Sequence, residues 1–218
     1  MSELLAWSAA MVSLVWIVQA VANMQRHPQG SATKRTSSPL ELMSGFVYPI
    51  LVGSSTATLL LGAGRFQWGW PDALLQLIGL LASIAGLVVY IRAKVELGES
   101  YSADARVWME QQLITSGLYG LVRHPIYFGS ILVWLGIGLG IASWTTLGLT
   151  SAILVPAIIY RSRLEERLLR ERFGRQYTAY RSRVPMLFPW PRPEKTTQED
   201  DLAELVEMAD QPIVPEQE

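Results

Sequence analysis

The chain has no cysteine among its 218 residues, which excludes disulfides, thiolate metal ligands and a cysteine nucleophile. Histidine is almost as scarce. His27 and His124 lie in separate segments and make a poor ligand set, so no metal site is expected. Charge is sparse as well: 17% of residues are charged, 50% are hydrophobic, and the mean hydropathy is +0.24. That balance argues against a soluble domain and for an integral membrane protein. What charge there is lies unevenly. Residues 1–193 hold 17 Lys/Arg against 10 Asp/Glu, a net of +7, and residues 194–218 hold nine acids against Lys195 alone, a net of −8. The formal net charge of −1 hides a basic body with an acidic tail. Because the basic residues flank apolar runs, they mark a membrane surface and no nucleic-acid partner is expected.

Long apolar runs are what the chain has in place of charge. Residues 4–24 form the first, long enough for the ~20 residues a spanning helix needs. The acidic Glu3 and the missing basic n-region argue for a retained span over a cleaved signal peptide. Residues 46–64 and 73–91 form the second and third runs, separated by a short loop whose Trp68 and Trp70 suit an interfacial belt. The central loop, residues 92–124, mixes both charge signs and belongs at the membrane surface. Residues 126–142 and 144–160 form two further runs with Ser143 between them. With so short a connection they must make an antiparallel helical hairpin, its second arm kinked at Pro156.

The expected fold class is therefore all-α: a polytopic membrane protein with five transmembrane helices, including the C-terminal hairpin. Five spans put residues 25–45, the central loop and the C-terminal region on one face, carrying 3, 4 and 10 Lys/Arg, with Arg65 alone opposite. The positive-inside rule then places the N-terminus outside and the C-terminus in the cytosol. Three regions follow: N-terminal spans in 1–93, a core in 94–193, and an acidic, disordered tail in 194–218 that could recruit a protein partner.

The stretch SGLYGLVRHPIYFG, residues 116–129, sits at the border between the polar loop and the fourth run. Pro125 suits the first position of a helix. The helix N-terminus and the loop before it, with Gly117, Leu118 and Tyr119, offer backbone N–H groups to an anionic ligand group. His124 and Tyr127 are three residues apart and can face one ligand. Further on, RSRLEERLLRER (161–172) reads as a charged helix continuing from the fifth run and stopped by Gly174. FGRQYTAYRSRVPMLFPW (173–190) follows, an amphipathic interfacial segment.

Together these two blocks resemble the isoprenylcysteine carboxyl methyltransferase-like family, integral membrane enzymes that use S-adenosylmethionine. The resemblance covers about residues 94–189. It rests on the Arg-His-Pro-x-Tyr element at 123–127 and hairpin, then the paired glutamates, Phe-Gly, Tyr-x-x-Tyr and Arg-Val-Pro. It implies S-adenosylmethionine as cofactor, held by Gly117, Leu118, Tyr119, His124, Tyr127, Glu165 and Glu166. It also implies an arginine that orients the acceptor, Arg161 first and Arg123 second, and a hydrophobic substrate drawn from the bilayer, with carboxylate O-methylation favoured. The alternatives are an NADPH-dependent membrane sterol-type reductase, which shares the Arg-His-Pro element, and a scaffold acting through the acidic tail.

Overall fold

The computed structural model describes residues 32–35, 39–66, 71–98, 106–108 and 113–189, together with Trp7, Ala10, Ser13, Leu14 and Ile17. Those five isolated positions are helical. The rest of the first apolar run, Trp68 and Trp70, most of the central loop and the acidic tail lie outside the described residues.

Helices dominate. In chain order they are α1 (Pro39–Leu61), α2 (Pro71–Leu97), a 3-10 turn (Gly117–Gly120), α3 (Pro125–Gly140), α4 (Trp144–Leu149), a π turn (Thr150–Leu154), α5 (Val155–Phe173) and α6 (Arg175–Arg183). Prolines open α1, α2 and α3, where the missing N–H leaves no intrahelical bond unmade. The wholly helical expectation needs one correction. Strand β1 (Ala32–Arg35) pairs antiparallel with β2 (Arg106–Trp108), tying the loop before α1 to the loop after α2. These polar loops contain no run long enough to make a span, and their backbone groups must still be paired.

Two described helical stretches, Ala73–Leu97 and Trp144–Phe173, are long and apolar enough to cross a membrane, and Val47–Leu61 and Pro125–Gly140 are shorter apolar helices. The side chains show which solvent they face. Leu74, Leu77, Ile78, Leu81, Ile84 and Val88 of α2 are all exposed, while Gln76 and Ser83 of the same helix are buried. An exterior so apolar around a partly polar interior is the arrangement lipid requires. At 1.5 Å per residue, the 30 residues of Trp144–Phe173 reach about 45 Å against a hydrocarbon core of about 30 Å. The charged end of α5 therefore projects beyond the core.

Glycine lets α2 and α3 touch backbone to backbone. A Cβ on Gly79 would fall 2.3 Å from the Gly140 nitrogen, and one on Gly136 would fall 2.6 Å from the Gly79 oxygen. Gly86 and Gly129 meet in the same way one segment along. This is small-residue packing of the kind that holds membrane helices together, and it accounts for Gly136 and Gly140 without any nucleotide loop. Around this seam Trp134, Ile137, Val133 and Leu51 are fully buried.

The chain reverses at residues 141–143, so that Gly138 sits against Leu147 at one end of α3 and Tyr127 meets Glu165 at the other. At the reversal Ser143 caps α4 by accepting from the Thr146 N–H at 3.1 Å and lies 2.8 Å from the Thr58 hydroxyl. The expected kink at Pro156 takes the form of the π turn just before it. The Val155 N–H reaches back to the Thr150 carbonyl, widening the helix where Pro156 has no N–H to give.

Candidate functional site

The other end of α3 gathers the ionisable side chains. His124 precedes Pro125 and occupies the N-cap position with no side-chain cap bond, so the imidazole is left to face elsewhere. It is buried. Its Nδ1 lies 3.7 Å from Glu165 and its Nε2 lies 3.5 Å from Glu166. Adjacent residues on α5 thus flank one ring from two sides. Tyr127, one turn into α3, stacks on His124 with ring centroids 5.6 Å apart and donates its hydroxyl to Glu165. Arg161, one turn before Glu165 on α5, bonds that carboxylate through Nε at 3.1 Å and holds its guanidinium 5.8 Å from the Tyr127 ring centre.

Arg123 and Glu166 form the deeper layer. Arg123 Nε donates to Glu166 at 2.8 Å and its terminal nitrogen approaches the same oxygen at 2.6 Å. The other terminal nitrogen donates to the carbonyls of Arg181 and Val184. All three guanidinium nitrogens are therefore engaged. Backbone bonds run alongside: the Arg123 N–H donates to Pro185 at 2.9 Å and the His124 N–H to Met186 at 3.0 Å. The Arg-His-Pro and Arg-Val-Pro segments are thus laced together, with Arg181 also 3.6 Å from Glu166.

The loop before His124 turns most of its N–H groups to acceptors within the protein. Six of its N–H groups, from Leu118, Tyr119, Leu121, Val122, Arg123 and His124, are engaged by protein acceptors. Leu118 donates to the Glu96 carboxylate at 2.8 Å, and Gly117 adopts φ +61° with Glu96 so close that a Cβ would fall 2.5 Å from it. The Tyr119 hydroxyl donates to Ala93 at 3.3 Å. Its carbonyl accepts from Tyr180 at 2.6 Å. The turn joins the end of α2 to α6 and leaves few donors for an anion. Glu96, which sequence reading did not single out, and Tyr180 hold this turn in place. Burial pushes the Tyr180 phenol up to about 12, with Arg123 opposing and Glu166 assisting; burial pushes Tyr177 higher still, with Glu166 assisting.

Of the expected site residues, His124, Tyr127, Glu165, Glu166, Arg161 and Arg123 converge, whereas Gly117, Leu118 and Tyr119 build the supporting turn. His124 Nε2, Ser162 Oγ and Tyr177 OH are buried with no hydrogen-bond partner among the described residues. Such groups are costly to leave unpaired, and a polar ligand at the cluster would relieve them. No group of three or more His, Cys, Asp or Glu side chains suited to a metal ion occurs among the described residues.

The architecture defines a class: a helical membrane protein with an arginine–histidine–glutamate cluster where its helices leave the apolar layer. Comparison with known proteins narrows it. Residues 74–176 match the family model described as phospholipid methyltransferase. The chain is 30% identical over 154 residues to the cobalt-zinc-cadmium resistance protein CzcN of Cupriavidus metallidurans, covering 66% of this chain and 62% of that protein's length. It is 29% identical over 168 residues to protein-S-isoprenylcysteine O-methyltransferase B of Arabidopsis thaliana, covering 73% of this chain and 81% of that one. Among solved structures, a eukaryotic intramembrane Ras methyltransferase, isoprenylcysteine carboxyl methyltransferase, matches with TM-score 0.48 and 20% identity, over 75% of this chain and 56% of that chain. The chain is thus similar to membrane methyltransferases of the phospholipid and isoprenylcysteine O-methyltransferase kinds, and it spans under two thirds of the length of the first of these relatives.

Proposed function

We propose that the chain transfers a methyl group from S-adenosylmethionine to a lipid-like or isoprenylated acceptor at the cytosolic face of a membrane, with carboxylate O-methylation favoured. The observation that carries this reading is the His124 imidazole set between Glu165 and Glu166, at the end where α3 and α5 leave the apolar layer. The complete topology belongs to the proposal: five spans, the last two a hairpin, with the core in residues 94–193.

The residues present suit the cofactor's chemistry. It carries an ammonium, ribose hydroxyls and a carboxylate, and Glu165 and Glu166 offer acceptors for the first two. His124 Nε2, no closer than 3.5 Å to Glu166, and the Tyr127 ring supply a hydrogen bond and a stacking face. When bound, S-adenosylmethionine supplies an electrophilic methyl on its sulfonium. A carboxylate acceptor needs no general base, only orientation and a dry site. Arg161 is suited to orient it, because its side chain lies at the partly exposed outer layer beside Glu165. Arg123, engaged on every nitrogen, positions Glu166 and the 184–186 segment instead.

The test is calorimetry with S-adenosylmethionine on the protein in lipid nanodiscs. Binding is expected, and His124→Ala and Glu165→Ala should each weaken it about tenfold or more, the scale of one hydrogen bond to a charged group. No heat of binding in the wild type would sink the reading. NADPH oxidation by the same sample would favour the reductase alternative.

A further inference from the structure

Beyond the site, α5 and α6 carry a strongly one-signed surface. Arg163, Arg167, Arg170, Arg172, Arg175, Arg181 and Arg183 are all exposed, whereas Glu171 is the only exposed acid among described residues 155–189. Arg163, Arg167 and Arg170 follow i, i+4, i+7 spacing and so form a stripe on one face of α5. The buried Ser162 and Glu166 lie about a quarter-turn round the helix from this stripe, on the adjoining inward side. Neither methyl transfer nor cofactor binding as argued above uses this stripe.

We infer that this arginine face is a docking surface for the chain's own acidic tail, residues 194–218. Charge complementarity identifies the occupant: the tail carries nine acids against Lys195, a net of −8, opposite seven exposed arginines and one exposed glutamate. Connectivity reinforces it. The tail begins five residues after Pro189, the last described residue, and a tethered segment acts at millimolar effective concentration. Reach is ample, since 25 residues extend to at most about 85 Å while the stretch from Arg163 to Arg183 spans about 30 Å of helix. Anionic lipid headgroups have the same chemistry as the tail and would compete for the same arginines. Tail and anionic membrane therefore exclude one another from this face. It stands independently of the catalytic reading, since it requires only the two charged surfaces.

The absence of cysteine makes the test direct. Thr178→Cys on exposed α6 and Ala203→Cys in the tail, introduced together, accept one spin label each, and the label-to-label distance is read by pulsed electron spin resonance. In phosphatidylcholine nanodiscs at about 0.1 M salt, a short, narrow distance distribution is expected. Raising salt to about 1 M shortens the screening length from about 10 Å to about 3 Å and should broaden it, as should exchange into phosphatidylglycerol nanodiscs. The triple substitution Arg163→Gln, Arg167→Gln, Arg170→Gln should broaden it at low salt. A broad distribution that ignores salt overturns the inference. So does a narrow one that the triple substitution leaves unchanged, because the tail would then rest elsewhere.

Discussion

Arg123 and Glu166 are 3% and 5% exposed at the side chain, so neither charge can turn to water if the other is lost. Removing one partner of a buried pair typically costs about 3–5 kcal/mol, whereas replacing both with apolar side chains is often neutral. Arg123→Ala should therefore lower the thermal unfolding midpoint in detergent sharply, and Arg123→Met with Glu166→Met together should cost less than either single change. A double variant as damaged as the sum of the singles would mean that the pair is not the unit. The members of the candidate cluster were legible at this scale. His124 and Tyr127 declared themselves by type, by three-residue spacing and by Pro125, and Glu165 and Glu166 by resemblance. Arg123's role was hidden for a physical reason: two of its acceptors are the backbone carbonyls of Arg181 and Val184, which carry no residue-type signature and lie far along the chain.

Helix packing turns on a handful of glycines, and they separate into two kinds. A Cβ on Gly79 would fall 2.3 Å from the α3 backbone, whereas one on Gly53 would meet nothing within 4 Å. Gly79→Ala should destabilise by about 1–3 kcal/mol, as overpacking does. Gly53→Ala should be neutral or stabilise by about 0.5–1 kcal/mol through helix propensity. Chemical denaturation of both in one detergent checks the opposite signs. The turn over α2 offers a second handle. Glu96→Ala frees the Leu118 N–H, so amide exchange across residues 116–120 should quicken, while Glu96→Gln keeps an acceptor oxygen and should stay close to wild type. Unchanged exchange in Glu96→Ala would remove Glu96 from the support of the site. Apolar runs revealed that these helices exist, but not their ends. The run at 73–91 is the part of α2 suited to hydrocarbon, and hydrogen bonding carries the helix through Arg92, Lys94 and Glu96 to Leu97. Glu96 itself could not be read as a support, because its partner is a backbone N–H 22 residues further along the chain, which carries no residue-type signature.

At the scale of the whole molecule, the fold and the charge distribution make separate statements about sidedness. Pairing of β1 with β2 places two polar loops together, and β2 also lies beside α5. The turn that holds Arg65 bonds instead to the reversal between α3 and α4, through Phe66 to Ala142 and Trp144 to Gly64, each at 2.9 Å. Arg65 and the ionic cluster therefore stand at opposite ends of α3. On the proposed five-span topology, with 17 Lys/Arg assigned to one face and one to the other, the positive-inside rule makes the cluster end the cytosolic one. Single cysteines in the otherwise cysteine-free chain can test this. Arg65→Cys and Thr178→Cys are both at exposed positions, and each should react with an impermeant maleimide from one side only. Thr178→Cys should label in inverted membrane vesicles and Arg65→Cys in right-side-out ones. Labelling of both positions from the same side would break the spanning arrangement itself. The reversed pattern would keep the helices and turn the protein over, moving the proposed site away from any acceptor presented by the cytosol.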